Sequence, residues 1–532
     1  MNTVLSSGKK GVISLVLLAA LIILVHPVAA GEEGAGPPET YSPEACPSPL
    51  PLENFTHPRD WYISATGTGN YTTLHEIPEI GAGDTIHLWG VENHTYDGGI
   101  AIDAPDVTVT RWEGSPVQPL VTSAGNTTPA FTVTADHATF LDLDISGNRL
   151  NYDNSRGAGI NAAGDPGAPL RGLTIIDCTF AGNAVEGNTT RGGALYTEYV
   201  DDLQVERTAF RGNFVAGGPG GGVYIWRCEN ATFTDTGFIS NRAMAPYGGG
   251  AYFNESRNAA FTNVTFFDNY VWGCAGGARF EHCDAATFTD TVFIDNEALS
   301  NCGGAEFEDC DALALTDTSF TGNEAWGSAG GARFWKCHNT TLTGTTVTGN
   351  TATKWYGGGV DFSFCENVTV AATTFTANSA RYGGGIYFAG CENATVTTTS
   401  FIDNTAQLGG GAYFRWCDAP VLITSTTFTN NTAREAGGGA GFEECTDVML
   451  ADCRLDNPTN LYAETSAGVL NTTRTPGTNI AGGPYLGGNL WLRDPAQNIS
   501  EWGIDADGDG ICDLPLAIDG FGTDYLPLVS AP

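Results

Sequence analysis

The feature that most constrains this chain is a repeat of 26 to 29 residues, opened by a glycine pair and usually closed by F-x-x-N. The pairs begin at Gly192, Gly221, Gly249, Gly276, Gly303, Gly330, Gly358, Gly384, Gly410 and Gly438. The asparagines stand at 183, 213, 241, 269, 296, 323, 350, 378, 404 and 431. Self-similarity at such a period marks a stacked architecture. Within each copy, short alternating runs of Phe, Tyr, Val and Thr between Gly and Asn read as strands. No i, i+3, i+4 apolar pattern supports helices. The expected fold is all-β: a right-handed single-stranded parallel β-helix, or solenoid. The hand follows from the dominance of right-handed crossovers between parallel strands. Equivalent positions then stack about 4.8 Å apart.

Stacking turns sequence columns into ladders. Phe253, Phe280, Phe307, Phe334, Phe362, Phe388, Phe414 and Phe442 share parity with the small residue two places earlier, so both columns face inward. The Asn column is expected in a turn, with left-handed backbone and amides bonding coil to coil. Eight of the fourteen cysteines form a column, Cys228, Cys283, Cys310, Cys337, Cys365, Cys391, Cys417 and Cys445, with Ser256 in the gap. They read as a ladder of small buried hydrophobes, mostly reduced. Cys274 and Cys302 are expected to form one disulfide, because they lie in equivalent loops of adjacent coils.

Residues 1–30 read as a signal peptide: Lys9 and Lys10, an apolar run from Gly11 to Val25, then Val28-Ala29-Ala30. A Pro-rich linker follows over 31–58. The N-terminal cap and irregular coils occupy 59–190, regular repeats 191–456, and C-terminal coils and cap 457–532. The protein is expected outside the cytoplasm, secreted or surface-associated, with no stable transmembrane span once the signal is removed. A net charge of −37, with only Lys336 and Lys354 as lysines beyond the signal, excludes nucleic acid as a partner. Four N-x-[ST] sequons, Asn230, Asn339, Asn367 and Asn393, share one column after the Cys position, which is expected to be an exposed turn carrying glycans.

Gly67, Gly69, Tyr71, Thr72, Thr73 and Leu74, followed by Gly83-Asp84-Thr85-Ile86, resemble the opening of a family of secreted right-handed parallel β-helix proteins. That family includes archaeal surface proteins and the periplasmic maturation factor of nitrous-oxide reductase. The resemblance implies a short helix over 73–80 that caps the core. Gly488-Asn489-Leu490-Trp491, the acidic run from Asp505 to Asp513, and Asp524 to Leu528 resemble the closing segment of the same family. The array between them resembles the polymorphic outer-membrane protein repeats of bacterial adhesins, which implies an adhesin-like surface role. The membrane barrel of those adhesins has no counterpart here, so their anchoring route does not carry over.

Two candidate sites follow from the residues. Asp505, Asp507, Asp509 and Asp513, with the Ile511 carbonyl, have calcium-loop spacing, although Leu516 stands where an EF-hand has Glu. Calcium is therefore the expected cofactor. The second site is the outward face of the first strand of each coil. One column reads Tyr224, Tyr252, Arg279, Glu306, Arg333, Asp361, Tyr387, Tyr413; the next contains Trp226, Glu281, Glu308 and Trp335. Tyr247, Trp272, Trp326, Trp355, Tyr356 and Tyr382 arrive on neighbouring loops and are expected to frame this face. Such aromatics stack on sugar rings, which points to a neutral or lightly charged surface glycan, or to an envelope protein docked on the same face. Arg279, Glu306, Arg333 and Asp361 alternate in sign as a cross-strand ladder, whereas Glu281 stacks on Glu308 as like charges. An alternative is a polysaccharide lyase or glycoside hydrolase using Glu281, Glu306, Glu308 or Asp361 as acid and base. A third reading is a purely structural envelope component.

Overall fold

The computed structural model describes residues 57–530 except 124 and 126. The signal peptide, nearly all of the linker, Cys46, and the sequons at Asn54 and Asn126 lie outside the described residues. One regular coil shows how the repeat folds. Its strands are Ala278–Glu281, Thr287–Thr289, Val292–Ile294 and Glu297–Ala298. Each pairs in parallel with the strand one repeat on, Phe280 beside Phe307, Phe288 beside Leu315, Phe293 beside Phe320 and Ala298 beside Ala325. Repetition builds sheets of 14, 16, 12 and 8 strands, which we call the first to fourth sheets in the order the coil visits them. The result is a parallel β-helix with almost no helix in it.

The strands are short because the turns between them come every few residues, and every turn of this coil contains left-handed backbone: His282 and Ala285 in the first, then Asp290, Asp295 and Cys302. Period-two alternation then decides what is enclosed. Phe280 and Phe307 are wholly buried and stack at 5.1 Å. Phe288, from the second sheet, meets both edge-on at 5.1 and 5.4 Å. Phe266 and Phe293, from the third sheet, stack at 4.6 Å. The glycine pair is a close-approach requirement: a Cβ on Gly276 would lie 2.5 Å from the Gly303 carbonyl oxygen and 2.7 Å from the Glu297 nitrogen.

The asparagine column is a buried ladder. The backbone N–H and Nδ2 of Asn296 both donate to Oδ1 of Asn323, which donates in the same way to Asn350. Each Nδ2 also donates to a carbonyl oxygen in the preceding coil, as Asn323 does to Phe293. The pattern starts at Asn148 and ends at Asn460, whose N–H is taken by Asp494. One expectation is corrected. The left-handed residue is the one before each Asn, for example Asp268, Asp295 and Gly322, while the Asn itself is not left-handed. The preceding residue makes the turn, and the Asn side chain is thereby aimed inward.

The cysteine column is also inward, and all thirteen described cysteines are free thiols. Cys310 Sγ donates to the Glu308 carbonyl at 3.2 Å. The expected Cys274–Cys302 disulfide does not form, because the two are one residue out of register. Cys302 stacks with Ala275 and Ala329, sharing their left-handed backbone, and its thiol donates inward to the Ala305 carbonyl. Cys274 instead pairs with Tyr247 of the preceding coil.

The ends are closed by two similar devices. Asp84, from the Gly-Asp-Thr-Ile motif, is wholly buried and accepts from Trp61 Nε1, the N–H groups of Arg59 and Gly81, and the His57 ring. Asp524 accepts from Trp491 Nε1, from Asn489 and from the Leu526 N–H. The capping helix is shorter than expected, a single 3-10 turn at Leu74–Glu76, with Leu74 in the core. A second short helix, Ile499–Trp502, packs beside Leu490–Leu492 near the other end.

Replacing Asn323 by Ala leaves two buried donors of Asn296 without an acceptor, at a cost of about 2–5 kcal/mol. The exposed Asn339→Ala should cost less than about 1 kcal/mol. Urea denaturation measures both, and equal midpoints for the two variants would show that the ladder contributes nothing.

Candidate functional site

The strands of the first sheet present the candidate site, and their outward column is not a surface. Tyr224, Tyr252, Tyr387 and Tyr413 are buried, as are Arg279, Glu306 and Asp361. Arg333, Trp226 and Trp335 are half-buried. The covering comes from the loops that precede each glycine pair. Tyr247 lies over Arg279, 3.8 Å from guanidinium carbon to ring centroid, and stacks on Tyr252. Tyr356 stacks on Tyr387 at 4.5 Å, and Tyr382 leans on Tyr413 at 5.8 Å. Loop aromatics expected to frame an open face instead roof it over. The outward columns therefore form a second, outer core.

That outer core holds the charges. Arg279 donates to Glu306 at 2.7 Å and also binds Glu308 and Glu281, the latter at 3.4 Å. Arg333 reaches Glu306 at 3.0 Å and Asp361 at 3.6 Å, with its guanidinium over the Trp335 ring. The expected ladder therefore exists. It also accounts for Glu281 beside Glu308: one Arg279 guanidinium lies against both carboxylates. Tyr252 donates its hydroxyl to Glu281. The same Tyr–Glu–Arg grouping recurs as Tyr196, Glu198 and Arg156, and as Tyr413, Glu443 and Arg415. Two guanidinium groups face four carboxylates in the central stripe, so it repels an anionic ligand. Arg279 and Arg333 are both held by these carboxylates.

Burial pushes the Glu308 carboxyl up, with Arg279 opposing. Asp361 is pushed up to about 6, burial outweighing the Arg333 guanidinium and the Ser363 hydroxyl. Glu306 and Asp361 are sealed off from solvent, so of the four proposed acid–base residues only Glu281 and Glu308 reach the surface.

What remains exposed lies on the loop edge. Trp272, Leu299, Trp326 and Trp355 are 58, 46, 53 and 43 % exposed on four consecutive coils. The first three occupy equivalent positions, each N–H bonded to the coil before, and Trp355 stands two residues beyond the equivalent Thr353. Lys354 lies over the Trp326 ring at 4.7 Å, and Arg381 sits beside Trp355 at 5.7 Å. Leu299 has no sequence signature beyond large apolar type at a turn, and only the exposure singles it out.

At the C-terminal loop, Asp505, Asp507 and Asp509 bring one carboxylate oxygen each within 4.8 Å of one another. The loop is tied by N–H groups of Gly508, Asp509 and Gly510 donating to Asp505, and Arg474 pairs with Asp509. Asp513 lies outside this group, with Oδ2 accepting from Ala506, and Ile511 is bridged to Leu528. The sequon column is exposed and stacked, Asn367 Nδ2 donating to Asn339 and Asn393 Nδ2 to Asn367.

The comparisons can now be set beside this geometry. Residues 141–416 and 414–496 match the family described as periplasmic copper-binding protein (NosD). The chain belongs to the NosD family. No curated protein sequence matches it. Among solved structures, a mutant of the periplasmic alginate epimerase AlgG is 9 % identical with a TM-score of 0.37, covering 69 % of this chain and 77 % of that one. The A-module of Azotobacter vinelandii mannuronan C-5 epimerase AlgE6 is 13 % identical with a TM-score of 0.36, covering 73 % and 91 %. The Dettilon tailspike protein is 9 % identical with a TM-score of 0.31, covering 68 % and 62 %. Likeness this remote says nothing about chemistry. Within the NosD-family chain, no helix among the described residues is long and apolar enough to cross a membrane.

The ladder makes stability depend on pH with a definite sign. The Asp361 carboxyl titrates near 3.8 when unfolded and near 6 when folded. Between those values the folded state holds a proton that the unfolded state has released, so stability falls as pH rises through this window. Melting temperature should be higher at pH 5 than at pH 7.5, and Asp361→Asn should narrow the gap. Asp524, also near 6, supplies a further part. A variant with the full parental pH dependence would remove Asp361 from this account.

Proposed function

We propose that this extracytoplasmic NosD-family β-helix is a surface protein that binds polysaccharide along its loop edge, in an adhesin-like role. The observation that carries the reading is the line of Trp272, Leu299, Trp326 and Trp355. A monomeric surface exposes large apolar side chains singly, and a contiguous row of them marks an interaction site. Successive coils repeat at about 4.8 Å, so a linear sugar chain lying along the axis meets one platform after another. The buried tyrosines Tyr224, Tyr252, Tyr387 and Tyr413, with half-buried Trp226 and Trp335, serve as support for the loops.

Catalysis by a lyase or hydrolase ranks below binding. A glycosidase needs two carboxylates flanking the scissile bond. Glu281 and Glu308 are both held by the same Arg279. A purely structural envelope role remains the outcome if no glycan binds.

Copper, named in the family description, finds no fitting donor set among the described residues. It favours soft sulfur and imidazole donors. The column thiols are shut in the core, each donating to backbone carbonyls. Among the described residues, the single group of three potential ligands is the Asp505, Asp507 and Asp509 cluster, whose hard oxygens suit calcium. Calcium at this loop is part of our reading, as is glycosylation of Asn230, Asn339, Asn367 and Asn393.

Each stacked ring contributes about 1 kcal/mol. Changing Trp326 and Trp355 together to Ala should weaken glycan binding roughly tenfold or more with an unaltered melting temperature. A glycan array followed by calorimetry checks this, and parental affinity in the double variant would move the site elsewhere. Calcium should raise the melting temperature of the parent and leave Asp507→Asn unchanged; an equal response in both would place any calcium effect outside the loop.

A further inference from the structure

We infer that the polysaccharide is anionic, carrying carboxylate or sulfate groups, and that it is read in a groove continuing the tryptophan line. This rests on the glycan-binding reading, departs from the neutral or lightly charged glycan expected from the sequence, and adds the place where the ligand's charge is recognised. The groove, about 410 Å³, opens beside the fourth sheet and is lined by Lys354, Arg381, Arg434, Gln407, Thr353 and Ser379.

The charge pattern carries the argument. In a chain of net charge −37, arginines are mostly spent on neighbouring carboxylates, as Arg111, Arg156, Arg227, Arg279 and Arg415 are. Lys354, Arg381 and Arg434 take part in no ion pair among the described residues, and all three are exposed in this one groove. Lys354 and Arg381 are held against the faces of Trp326 and Trp355, contacts that orient a cation without neutralising it. Arg381 Nε also donates to Gln407 Oε1 at 2.9 Å, which fixes the guanidinium and leaves its outer nitrogens for a ligand. Planar guanidinium groups match carboxylate and sulfate oxygens through paired donors.

The floor agrees. The fourth-sheet column runs Glu297, Glu324, Thr351, then Ser379, Thr405 and Thr432. Its acids stop where the cations begin, and the remaining positions offer hydroxyls. Glu435 is the nearby carboxylate, and it accepts from Gln407. The rest of the protein's negative charge does not forbid the match, because at physiological salt exposed charges are screened beyond about 8 Å. Duplex nucleic acid fits poorly, since it needs many phosphates neutralised along an extended basic track.

The test uses the full extracytoplasmic chain in 0.15 M salt, about physiological strength. Its probes are polygalacturonate, dextran sulfate, uncharged dextran of matched length, and a short DNA duplex. The expected result is that polygalacturonate or dextran sulfate binds at least about tenfold more tightly than dextran, a difference of about 1.4 kcal/mol. The two charged arms identify which group is preferred. A Lys354→Gln, Arg381→Gln, Arg434→Gln variant should melt like the parent and lose that advantage. Equal binding of charged and uncharged glycans by the parent overturns this inference and leaves the glycan reading standing. Binding of no glycan overturns both. DNA binding as tight as the charged glycans overturns the ligand class, and a triple variant that keeps its preference overturns the groove.

Discussion

Every part of this protein depends on one constraint: each coil is bonded to the next through backbone hydrogen bonds at a fixed register. The register puts like on like, Phe280 on Phe307 and Asn296 on Asn323. A ladder of identical side chains stabilises the stack if each residue can satisfy its twin. Phe does so by stacking, Asn by an amide that both donates and accepts, Cys by a thiol directed at a backbone carbonyl. Charges cannot pair with their twins, which explains why the charged column alternates Arg279, Glu306, Arg333 and Asp361. Where alternation fails, at Glu281 and Glu308, a guanidinium from the neighbouring column binds both.

Much of this was legible in the sequence. Period, parity and the inward Phe and Cys columns follow from spacing alone, and so does the coil-to-coil bonding of the Asn column; that the residue before each Asn makes the turn and aims the amide inward does not. Parity could say that Tyr252 and Tyr387 point away from the main core. It could not say that Tyr247 and Tyr356 fold back over them, because loop paths depend on contacts between coils and leave no periodic trace. The same limit undid the disulfide: Cys274 and Cys302 are separated by one repeat, but the loops around them differ by one residue in register. The motif residues Asp84, Asn489, Trp491 and Asp524 could be matched to a family before their work as buried end closures was visible. The loop-edge line was partly legible, Trp272, Trp326 and Trp355 as loop aromatics and Leu299 not at all.

The outer core changes what the protein can use for recognition. Arg279, Arg333 and their four carboxylates are bound to one another, with Tyr247 laid over Arg279. The tryptophans that the loops carry stand clear of the charge stripe, on the rim and not on the sheet. The stack thus presents a ruled edge, with apolar platforms on the coils opened by Gly249 to Gly330 and cations outside any ion pair among the described residues from the last of these onward, Lys354, Arg381 and Arg434.

The asparagine ladder has a consequence for how such a chain can change in evolution. Each rung is closed between immediate neighbours, and no rung refers to a distant coil. Excising or duplicating one whole period therefore leaves every remaining rung with a partner of the same kind, whereas adding half a period misaligns all that follow. The length of the rim, and with it the length of polymer it spans, is free to drift in integral steps while the two closed ends stay as they are.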